Sequence, residues 1–179
     1  MDRTHFVLWY RLDNKDHYLI WYHEVEGDSC LDGVVLDSAS KIPIFVAVDE
    51  LQHYARSQEF EIDAEEPRLH NLDIVLKWLK TRRATQTLHC DACLTAWNLF
   101  ADVSRSLSGS FDADQQRTHK IYQKLFFGSN LPALTPSGKH YIPLWSSQEL
   151  KIIREVMNNG LALLRAHTRL QTVTRRRFP

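Results

Sequence analysis

The chain of 179 residues lacks most of the features that announce a special class of protein. It has no apolar run near the roughly 18 residues that a membrane-spanning helix requires. Its opening, Met1-Asp2-Arg3-Thr4-His5, alternates charge at once and carries no apolar leader core. Cysteine is scarce and odd in number: Cys30, Cys90 and Cys93 make a poor disulfide framework where no export signal is seen. Six glycines and six prolines exclude collagen-like and low-complexity chains, and no internal repeat is visible. The signatures G-x-x-x-x-G-K, G-x-G-x-x-G, G-x-S-x-G and H-E-x-x-H are all missing. These absences lead to the expectation of a cytoplasmic protein that is not an enzyme, with no cofactor, no metal and no membrane partner.

What is present is ordinary in amount and unusual in arrangement. Hydrophobic residues make up 44% and charged residues 25%, which is globular composition, and the length suffices for one α+β domain with a real core. Lys and Arg number 22, against 22 Asp and Glu. That balance hides a division: residues 1–80 hold 16 acidic and 8 basic side chains, and residues 81–179 hold 6 and 14. Such asymmetry points either to two halves that attract each other or to a charged partner.

The first half reads as sheet. His5–Tyr10 and Tyr18–Tyr22 are rich in aromatic and branched residues, and Asp13-Asn14-Lys15-Asp16 between them is turn chemistry, so a hairpin is expected. Val34–Leu36 and Ile42–Val46 extend it to four strands, with Pro43 confining the last to an edge. Residues 49–56 suit a short helix, and Phe60-Glu61-Ile62 a last strand. The acidic stretch Asp63–Pro67 is the expected joint, giving a sheet-rich half (1–66), a helical half (67–170) and a basic tail (171–179). Four helices are expected in the second half. They start at Asn71, at Asp91, at an Asp112/Gln115 capping box, and at Ser146-Ser147-Gln148-Glu149, the clearest box in the chain. Gly128 is the expected stop of the third helix, and Gly160 a weak point in the fourth. The 17-residue connection from Gly128 to Leu144 is long enough to be functional or pinned to the body.

Three constellations carry chemistry. His89-Cys90-Asp91-Ala92-Cys93 offers a C-x-x-C pair, but zinc takes about four ligands and no second pair closes the site. Asp91 between the thiols opposes a redox role, so packing is the expectation. His17 and His23 flank a strand beside Glu24 and Glu26, a conceivable acid–base pair that strand alternation disfavours. Arg82, Arg83, Lys120, Lys124 and Arg175–Arg177 offer an alternative function, nucleic-acid binding through the basic helical half. The densest charge is acidic: Asp28, Asp32, Glu59, Glu61, Asp63, Glu65 and Glu66, a set suited to docking a basic protein surface.

Ordered short patterns cover about Gly33 to Leu164. They run Gly33-Val34-Val35-Leu36-Asp37, Asp49-Glu50-Leu51, Glu65-Glu66-Pro67, Asn71-Leu72-Asp73, Lys77-Trp78-Leu79, Ala96–Asp102, Lys124–Pro132 and Trp145-Ser146. Together they resemble bacterial immunity proteins of contact-dependent growth inhibition and other polymorphic toxin systems. The resemblance implies a rigid scaffold that blocks a cognate toxin, in many such systems a nuclease, with no catalytic residues of its own. The seven acidic residues above are then the expected contact.

Overall fold

The structure, a computed structural model, describes residues 2–81, 88–109, 111, 115–133, 135 and 139–171. The fold is α+β: an N-terminal antiparallel sheet and a short helix, then four further helices. The chain divides into two compact units, one of residues 1–70 with 166–179 and one of residues 71–165.

The first unit is built on a hairpin, β1 (Asp2–Leu12) and β2 (Lys15–Glu26). Asp13 and Asn14 form its two-residue loop with φ of 54° and 58°. A type I′ turn needs left-handed backbone at both positions, and Asp and Asn tolerate it best among residues with a side chain. The strands then pair without interruption from Leu12↔Lys15 to Asp2↔Val25. Near the loop both faces are apolar. One face packs Val7, Ile20 and Tyr22 into a cluster with Val35, Phe45, Leu51 and Ala55. The other buries Leu8, Tyr10, Leu12 and Leu19. Burial on both sides is why these strands read as unbroken aromatic and aliphatic runs.

β3 (Ser29–Val34) returns through Gly27-Asp28, where Gly27 takes φ 60°, and β5 (Leu69–Asn71) lies on the far side of β1. The order is β3-β2-β1-β5. The expected fourth strand, β4 (Ile42–Ile44), is not in that sheet. The chain leaves the ladder after Val35, and Asp37 organises a turn by accepting from the amides of Ala39 and Lys41 at 2.8 and 2.9 Å. It then pairs with β2 through the Tyr18↔Phe45 bridge. Pro43, which cannot donate, is thereby kept out of the antiparallel ladder. Instead β4 pairs in parallel with β6 (Thr168–Leu170), a segment expected to belong to the helical half. Gln171 donates to the Ile44 carbonyl at 2.9 Å to continue that pairing. The helix α1 (Val48–Ser57) buries Leu51 and Ala55, and its first-turn Asp49 and Glu50 face the positive end of its dipole.

The second unit holds α2 (Leu72–Lys80), α3 (Cys90–Ser106), α4 (Gln115–Gly128) and the bulk of α5 (Ser147–His167). The Asn71 side chain caps α2 through the Asp73 amide at 3.2 Å, as expected. The α5 box also forms: the Glu149 amide donates to Ser146 Oγ at 3.2 Å, and the Ser146 amide to Glu149 Oε2 at 2.7 Å. Helix α3 starts two residues earlier than expected, with His89 at its cap and Asp91 in its first turn. The expected Asp112 cap of α4 lies outside the described residues. The carbonyls at the end of α2 are satisfied from a distance: Arg154 donates to Leu79 and Thr81 at 3.0 Å each, its guanidinium 4.2 Å from the centroid of the Trp78 ring.

Helix α4 stops at Gly128 as expected, whereas the expectation for Gly160 changes. Gly128 is the last residue of α4, and left-handed φ (48°) is taken by Asn130 two residues later. Gly128 is required for space instead, since a Cβ there would stand 2.7 Å from Cys90 Sγ and 2.8 Å from Pro143 Cγ. Gly160 is a contact, not a weak point. A Cβ there would stand 1.9 Å from Cδ2 of the fully buried Phe100 on α3. Propensity alone favours Gly160→Ala by about 1 kcal/mol. The clash reverses the sign, and the expected result is a loss of about 1–3 kcal/mol in denaturant unfolding. Adding Phe100→Leu to that variant should recover part of the loss.

Candidate functional site

All seven expected contact residues lie in the first unit. Asp28 is exposed at the tip of the β2–β3 hairpin, and Asp32 is on β3 directly opposite His23. Glu59–Glu66 follows α1 and does not form a strand. Its single ladder contact is a parallel bridge from Ile62 to His5 on β1, reinforced by the Asp63 amide donating to the His5 carbonyl at 2.8 Å. Phe60 also stacks on the His5 ring, with centroids 4.7 Å apart.

This local anchoring follows from the sequence Glu59-Phe60-Glu61-Ile62-Asp63. Its apolar members turn in: Phe60 and Ile62 pack on the Ile20–Phe45 cluster. Extended chain alternates, so Glu61 and Asp63 turn the other way and are exposed. That is the sheet face carrying Thr4, His23 and Asp32, because those three pair across the strands one row away from His5, Tyr22 and Gly33. Ile62 and Gly33 end a row of four adjacent chains, so the two acidic groups stand roughly 14 Å apart, three strand spacings. Asp63 Oδ1 accepts from the Glu65 amide at 2.8 Å, which turns the chain and leaves Glu65 and Glu66 exposed.

The conceivable His23–Glu24 acid–base pair does not form, because adjacent strand residues point to opposite faces. His23 Nδ1 is 2.7 Å from Asp32 Oδ1. Glu24 is buried, and Arg3 reaches it with both Nε (2.7 Å) and Nη2, the guanidinium lying over Tyr22. A second cross-strand pair on the same face, Arg11–Asp16 at 2.7 Å, closes the opposite end of the hairpin.

The cysteines divide by environment. Cys90 and Cys93 are buried, and burial, with help from the Asp91 charge, pushes their thiols up to about 11 and about 12. Cys90 is no incidental neighbour of Cys93, for it fills the space that Gly128 leaves open. Among the described residues no three His, Cys, Asp or Glu side chains converge to hold a metal ion. Of the basic residues considered for nucleic acid, Lys124 is engaged with Glu149 at 2.7 Å, while Arg82, Arg83 and Arg175–Arg177 lie outside the described residues. No protein-family model, characterised protein or solved structure matches the chain.

The expected strand over Phe60-Glu61-Ile62 is reduced to the one bridge from Ile62 to His5, which fixes the acidic segment. The in–out alternation of Phe60 and Ile62 was its available signal.

Two outcomes test this geometry. At neutral pH a thiol reagent should modify one cysteine quickly, the exposed Cys30, and reach Cys90 and Cys93 only on unfolding. Three fast thiols would contradict the burial. The second concerns acid. Burial, aided by Arg3, lowers His5; burial, then Lys15, lowers His17; and burial lowers His70. The folded state therefore prefers these rings neutral more than the unfolded state does. The stability this gives is complete above the ordinary value of 6.5 and is lost as pH falls through the lowered folded values. The urea midpoint should fall between about pH 7.5 and about pH 5, and His70→Gln should flatten that slope.

Proposed function

We propose that this protein is an immunity-type binding protein that neutralises a cognate toxin in the cytoplasm by occluding the toxin's active site. The reading rests on the acidic edge of the first unit. Glu59, Glu61, Asp63, Glu65 and Glu66 are exposed and tied to the sheet through Ile62 and His5, and Asp32 shares the sheet face of Glu61 and Asp63. A charged surface held on a scaffold docks without first losing chain entropy, and its field steers a basic partner into place. A nuclease active site, which must hold phosphates, is a basic target of the right kind. The short patterns that resemble those of polymorphic-toxin immunity proteins point the same way. Such a role needs no catalytic group on this chain.

Native mass spectrometry of the tagged protein recovered from its source cells tests this directly. A stoichiometric protein partner whose nuclease or other toxic activity disappears on binding is the expected result. Recovery with nucleic acid and no protein would reject it. With the partner in hand, the double variant Glu65→Lys, Glu66→Lys should slow association by about tenfold at low salt and change dissociation little. Unchanged association kinetics would remove the 59–66 segment from the contact.

A further inference from the structure

The second unit carries a surface of opposite character. At the end of α4 and in the chain that follows, Phe127, Tyr141, Ile142 and Leu144 are 59%, 45%, 80% and 86% exposed. Isolated exposed apolar residues are ordinary, but a group of four large ones is not. They are held in place. The Asn130 side chain accepts from the Tyr141 amide at 2.7 Å and donates to the Tyr141 carbonyl at 3.0 Å, and Phe127 meets Tyr141 edge to face at 6.5 Å. Lys124 donates to the Leu144 carbonyl at 2.6 Å and lies 5.0 Å from the Trp145 ring centroid. Pro143 sits against Gly128, so Ile142 and Leu144 on either side of it project outward.

The electrostatics name the occupant. Of the four Lys or Arg in residues 115–148, Arg117 and Lys124 pair with Glu155 and Glu149, and Lys120 and Lys139 are exposed. Lys120 lies two helical turns before Phe127, on the same side of α4. We infer that Phe127, Tyr141, Ile142 and Leu144, flanked by Lys120 and Lys139, dock on the interface of an anionic membrane. Two aliphatic tips exposed by four-fifths or more are projections, and a protein partner would need a matching pocket for each. The acyl boundary of a bilayer accepts any projecting aliphatic chain, the headgroup region suits Tyr and Trp, and lipid phosphates suit lysine. The scarcity of long apolar runs bears on spanning a bilayer, not on lying against one. This surface is independent of the toxin-binding reading.

Flotation of the full chain with vesicles is the test, comparing phosphatidylcholine alone with phosphatidylcholine containing phosphatidylglycerol. The protein should float with the anionic vesicles and much less with the neutral ones. Ile142→Ser with Leu144→Ser should weaken anionic binding at least about tenfold, and Lys120→Gln with Lys139→Gln by roughly the same. All four side chains are exposed, so thermal unfolding of both variants should match the parent. Failure to float with anionic vesicles would overturn the inference and leave an acidic protein segment as the occupant. Undiminished binding of the Ile142, Leu144 variant would also overturn it, showing adsorption through other cations.

Discussion

The register of β1 against β2 is the constraint on which the first unit depends. Side chains alternate along a strand, so a slip of one residue would exchange the two faces of the hairpin. Val7, Ile20 and Tyr22 would leave the α1-covered cluster, and Arg3 and Glu24 would no longer stand opposite each other. The Asp13-Asn14 loop fixes this register locally, because a two-residue turn with left-handed backbone at both positions allows one pairing. The buried Glu24 fixes it again from the far end. A buried carboxylate is tolerated only with a charged partner, and that partner is available in one alignment. Turn chemistry and a buried charge thus specify the same arrangement from opposite ends of the hairpin.

The second unit solves a different problem, the satisfaction of backbone groups where helices end and a long connection begins. It does so with side chains that imitate backbone. Asn130 presents its amide to Tyr141 as a facing strand would, and Arg154 supplies three donor contacts to the last carbonyls of α2. Glu149 serves two ends at once, closing the Ser146 box with one oxygen and binding Lys124 with the other. Partial burial would raise its carboxyl, but the bonds from Lys124 and Ser146 outweigh that and hold it below the usual range. Close packing at Gly128 and Gly160 allows these elements to approach closely enough for such bonds.

What could be read from the sequence follows from how local each cause is. The hairpin and the caps at Asn71 and Ser146 depend on neighbours within a few residues, and they stand where expected. Gly160 was misread because propensity is local, whereas its reason, the Phe100 ring, is sixty positions away. The β4–β6 pairing joins two three-residue segments more than a hundred positions apart, neither long enough to show a period. At the acidic edge, composition revealed the charge and named the residues. It did not reveal that Ile62 fastens five of them to β1, since one bridge leaves no pattern beyond two inward apolar residues. His23 was read with its sequence neighbour Glu24, while its partner Asp32 is a neighbour only across the ladder.

The charge division of the chain takes on a definite meaning once the ion pairs are placed. Arg3–Glu24 and Arg11–Asp16 lie within the first unit, and Arg105–Asp102, Arg117–Glu155 and Lys124–Glu149 within the second. In the acidic unit Arg3 and Arg11 are taken up by internal pairs, and in the basic unit Asp102, Glu149 and Glu155 are. Asp73 and Asp91 are taken up as well, each in the first turn of a helix where the dipole favours an anion. These charges of the minority sign stabilise the unit that holds them. A net charge of zero is then no sign of a neutral surface. It is the sum of an acidic half and a basic half of the sequence, each of which sets up its own field.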